Sequence, residues 1–87
     1  MSRGALLHAI DEAIAAARRL AAAGVVDQGR LQQLVEELTA RRGEVAAGRD
    51  LDREWAGRTV RWVAEWLPDG ELPLLARLGA VVRAAAT

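Results

Sequence analysis

Residues 51–67, LDREWAGRTVRWVAEWL, carry every aromatic side chain of an 87-residue chain: Trp55, Trp62 and Trp66, with no Phe or Tyr anywhere. Placed at 100° per residue, the segment reads as an α-helix with an apolar arc of about 180°. That arc divides into two halves. Leu51, Trp55, Trp62 and Trp66 occupy one, and Ala56, Val60, Val63 and Leu67 occupy the other. Arg58 and Glu65 border the tryptophan half. An arc this wide is buried either between two neighbours in one bundle or between the bundle and a second molecule.

The flanking sequence is helical in both directions. Leu7, Ile10, Ile14, Ala17 and Ala21 step by three and four, and Gly24 follows as a C-terminal cap, which predicts a first helix over about 3–23. Asp27 is placed as the N-cap of a second helix over about 28–46, with Val26 and Leu31 in the relation of a hydrophobic staple. Its stripe is Leu31, Leu34, Val35, Leu38 and Val45, an arc of only about 100°, suited to packing on one side. Glu37 and Arg41 are spaced as a favourable i,i+4 pair. Gly48 ends this helix, Asp50 is the expected N-cap of the third, over 51–67, and PDG at 68–70 turns the chain. Pro73 suits the first turn of a fourth helix over 73–86, with Leu75, Leu78, Val82 and Ala85 as its stripe. No segment alternates with period two. The expected fold is all-α: a single domain, 1–87, folded as a small antiparallel bundle of four helices.

Composition narrows the function. A chain of this length buries only about 60% of its unfolded surface, so tight helix packing or a partner chain must supply the margin. There is no cysteine, hence no disulfide and no thiolate metal site, and His8 is the only histidine. Twelve basic residues balance twelve acidic ones, so no long-range attraction to nucleic acid or an anionic membrane is built in. All twelve are arginines, as a GC-rich coding sequence yields, and guanidinium offers bidentate pairing and stacking that ammonium does not. No stretch has the uninterrupted apolar run of a signal peptide or of a membrane span, and the expected location is cytoplasmic.

The chain offers no set of side chains arranged for reactive chemistry. Ser2 and His8 do not complete a nucleophilic triad, and Asp11, Glu12, Glu36, Glu37 and Glu44 map mainly to polar faces. DLDRE at 50–54 lacks the glycine and distal glutamate of a calcium loop, and the isolated glycines of AAGRD and PDGEL form no phosphate cradle. No enzyme activity, metal or cofactor is expected.

What remains is recognition. Tryptophan is enriched at binding hot spots because it offers a large rigid face and one N–H donor. The expected function is a non-enzymatic interaction or assembly module, pairing with itself or with a larger protein through the tryptophan-bearing face. The candidate surface is Trp55, Arg58, Trp62 and Trp66, joined by Arg42, which falls inside the apolar stripe of the second helix and either snorkels past the bundle edge or reaches an indole or a carboxylate on a partner. Ala13 and Ala17, with Ala21, form a small-residue line along the first helix that would admit close approach of another helix. The alternative is a regulator contacting nucleic acid through Arg41, Arg42 and Arg49; the acids interleaved with those arginines disfavour it.

Overall fold

The computed structural model describes residues 3–24 and 27–86. Four α-helices follow one another: α1 (Arg3–Ala23), α2 (Gln28–Ala46), α3 (Arg53–Trp66) and α4 (Leu72–Ala86), with a single 3₁₀ turn (Asp69–Glu71) before the last. No strand occurs among the described residues. The all-α bundle expected from the sequence is what forms.

Local chemistry sets the ends. The Asp27 carboxylate accepts from the Arg30 N–H at 3.1 Å and starts α2. Val26, its expected staple partner, lies outside the described residues, as does Ser2. Gly48 ends α2 at φ +99°, a backbone state that a residue with Cβ adopts only with strain. There the Arg49 N–H donates to the Glu44 carbonyl and the Gly48 N–H to the Val45 carbonyl, both at 3.0 Å, which closes a Schellman motif. Gly24 plays the matching part after α1 at φ +71°.

The third helix starts later than the sequence suggests. Asp52, not Asp50, is its N-cap, because one Asp52 oxygen accepts from both Glu54 N–H (2.9 Å) and Trp55 N–H (3.2 Å). Leu51 then precedes the cap as a buried residue, five residues before buried Ala56, the spacing of a hydrophobic staple.

The helices run antiparallel to their neighbours. Asp11 of α1 meets Arg42 of α2, while Arg3 at the start of α1 reaches the Gly48 carbonyl just past the end of α2. Glu12 lies 3.9 Å from Arg77 of α4, and Leu20 lies near Pro73 at the opposite end of the same pair. α1 packs against α2 and α4, and α3 packs against α4. Residues from all four helices form one buried cluster centred on Ile10, Leu31, Leu34, Leu38, Val63 and Leu74.

Two stripes differ from expectation for one reason. Because α1 and α4 each have two neighbours, their buried arcs are wider or rotated. Ala9, Ala13 and Ala16 join the core from α1, and the fully covered line of α4 is Leu74, Leu78 and Val81, with Leu75, Val82 and Ala85 on its flank. α2, packed chiefly on α1, keeps the narrow line Leu31, Leu34, Leu38 and Val45.

Candidate interaction surface at the α2–α3 seam

Three of the four seams of the bundle are closed by direct helix packing; the fourth is open. No Cα of α2 comes within 8 Å of any Cα of α3. The gap is crossed by side chains, and the crossing residue is Trp55.

Trp55 leans from the first turn of α3 toward α2 and is 7% exposed. Its indole N–H donates to Glu37 Oε1 at 3.1 Å, and the Arg41 guanidinium lies over its ring at 5.2 Å from the centroid. A cation over an indole is attracted by the ring quadrupole, worth about 0.5–2 kcal/mol depending on desolvation. Arg41 also pairs with Glu44 at 3.0 Å, while its Nε is buried with no acceptor among the described residues. The Glu37–Arg41 pair suggested by spacing is therefore not made. Glu37 turns to Trp55 and to Gln33, at 3.4 Å, and Arg41 turns one helical step onward.

Above Trp55 the open seam forms a groove of 240 Å³, lined by Gln33 and Glu37 from α2 and by Trp55, Arg58, Thr59 and Trp62 from α3. Trp62, from this lining, packs against Trp66; both rings are half-buried, with centroids 5.2 Å apart and planes at 70°. An edge-to-face pair of this kind holds both rings in place. The Trp66 N–H is buried without an acceptor among the described residues. Arg58 is exposed and its ion pair with Glu54, at 3.5 Å between side chains 59% and 87% exposed, is weak.

The remaining candidates are placed elsewhere. Arg42 lies on the other flank of α2 and forms a two-pronged ion pair with Asp11 of α1, the longer prong at 3.4 Å. The hydrogen bond and charge of Asp11 raise the pKa of its guanidinium above the ordinary value. The residue that finds an indole is Arg41, and the carboxylate that Arg42 finds belongs to its own chain. Ala13 and Ala17 are completely covered within the chain, in the core that α1 shares with its neighbours, so they leave no surface for a second molecule. Arg41, Arg42 and Arg49 do not converge as a phosphate-facing set: the first two are engaged with Trp55, Glu44 and Asp11, and Arg49 is exposed beyond the end of α2.

Elsewhere, a larger groove of 550 Å³ between α1 and α2 is bounded by Arg18, Arg19, Arg42, Asp11 and Thr39. His8 is exposed and stands 3.7 Å from Glu12. No three His, Asp or Glu side chains are brought together in a metal-holding group among the described residues. No described helix is long and apolar enough to cross a membrane.

Comparison with known proteins gives no family model, no curated protein and no solved structure that matches this chain.

Proposed function

We propose that the chain is a non-enzymatic protein-interaction module whose docking surface is the tryptophan-bearing rim of α3 beside the open α2–α3 seam. The observation that carries this reading is the division of labour among the three tryptophans. Trp55 is enclosed and fully partnered, while Trp62 and Trp66 keep accessible surface next to a groove that no helix of the bundle fills. Rigid aromatic area beside a concave strip, bordered by arginine, is the composition of an interface hot spot. The alternative through Arg41, Arg42 and Arg49 draws less support, because two of its three guanidinium groups have carboxylate or indole partners within the chain.

The test is a paired capture experiment from the organism's own extract, with the parent chain and Trp62→Ala as baits, both checked for helical content by circular dichroism. A partner retained by the parent and lost by the variant supports the reading. Identical capture by both folded baits refutes it.

A further inference from the structure

We infer that the occupant of the tryptophan rim is a second copy of this chain, docked with the two α3 helices antiparallel about a two-fold axis near Trp62. The inference rests on the interaction reading above and adds the partner and the geometry.

Its basis is the charge order along the exposed flank of α3. Arg58 precedes Trp62 by four residues and Glu65 follows it by three, and both side chains are exposed. At 100° per residue both point to the same side of Trp62, about 20° apart. With a rise of about 1.5 Å per residue, Arg58 stands about 6 Å before Trp62 along the helix axis and Glu65 about 4.5 Å after it. A two-fold axis through Trp62 exchanges these levels. It brings Arg58 of each copy to within about 1.5 Å, along the helix axis, of Glu65 of the other. The same operation stacks the Trp62 faces against each other and sets Arg58 near the level of the opposite Trp66, where a guanidinium can lie on an indole.

A parallel pairing would instead place Arg58 against Arg58 and Glu65 against Glu65. The patch is thus complementary to itself in one orientation only. The partner that Arg58 has among the described residues does not compete strongly: it is Glu54, at 3.5 Å between two exposed side chains. The interface is a strip along one helix plus the groove beside it, which puts it at the small end of specific interfaces and its dissociation constant on the order of micromolar.

Sedimentation equilibrium of the full chain, from about 1 μM to 1 mM, tests this with two charge reversals, Arg58→Glu and Glu65→Arg. The parent is expected to be a monomer–dimer system. Each reversal alone places like charges at both symmetry-related contacts and is expected to weaken the dimer roughly ten-fold or more. Mixing the two variants restores both contacts with signs exchanged, so the mixture should associate within a few-fold of the parent. Circular dichroism controls for folding, to which these exposed positions contribute little. A parent that stays monomeric throughout overturns the inference. So does a dimer indifferent to both reversals, or a mixture no stronger than its components. A monomeric parent whose bait still loses a partner on Trp62→Ala would remove the second copy while leaving the docking surface in place.

Discussion

The indole N–H of Trp55 donates a 3.1 Å hydrogen bond to Oε1 of Glu37, joining two helices whose backbones do not otherwise approach. This bond and the Arg41 guanidinium over the same ring are the cross-brace of the α2–α3 seam. A buried donor that loses its acceptor keeps its full desolvation penalty, about 1–3 kcal/mol. Glu37→Ala should therefore destabilise the chain by about that amount. Glu37→Gln retains an oxygen at the same reach and should change stability by less than about 1 kcal/mol. Urea unfolding of both variants checks the pair; equal losses would mean that the carboxylate's charge, rather than its acceptor, matters at this site.

Trp66 presents the opposite case. Its N–H is buried and has no acceptor among the described residues, so removing that donor relieves a penalty while the ring contact with Trp62 persists. Trp66→Phe is expected to fall within about 1 kcal/mol of the parent, and Trp55→Phe, which strips a satisfied donor and leaves Glu37 facing a hydrocarbon edge, to lose about 1–3 kcal/mol. Thermal melts of the two side by side decide the matter, and a larger loss at position 66 would count against the geometry described.

The two glycines of the α2 terminus should respond with opposite signs. Gly43 lies within the helix with open space where a Cβ would stand, so Gly43→Ala should stabilise by about 0.5–1 kcal/mol through helix propensity. Gly48 has the same open space but a φ of +99°, and Gly48→Ala should destabilise by about 1 kcal/mol or more. Midpoints of denaturant unfolding for the two substitutions measure this directly.

The helices were legible in the sequence because period and punctuation agreed. Gly24, Asp27, Gly48 and the PDG turn each act within a few residues, and their geometry follows from local chemistry alone. The cap of α3 was less legible because Asp50 and Asp52 are chemically equivalent, and only the burial of Leu51 selects the second. Arg41 and Arg42 show the larger limit. Both flank the apolar line of α2, and which one meets an indole depends on which flank faces α3, a tertiary fact with no local mark. The alanine line of α1 was visible as a close-approach seam, but nothing in its spacing says that the approaching residues come from the same chain. The split arc of α3 carried the most information, since it separated the tryptophans from the aliphatic half. It did not separate Trp55 from Trp62. That distinction arises from the Asp52 cap and the distance between α2 and α3, which together turn one ring inward and leave the other at a rim.

Everything proposed for this surface depends on Trp62 being available while Trp55 is structural. The most direct measurement is the equilibrium unfolding free energy of Trp55→Ala and Trp62→Ala, taken at nanomolar concentration, well below the dissociation constant inferred above, where self-association contributes least. Trp55→Ala removes an enclosed ring with its hydrogen bond and is expected to cost about 3–5 kcal/mol, enough to unfold much of a chain this small. Trp62→Ala should cost less than half as much and leave the helical signal intact. Equal losses at the two positions, or an unfolded Trp62→Ala, would make all three tryptophans core and contradict the account.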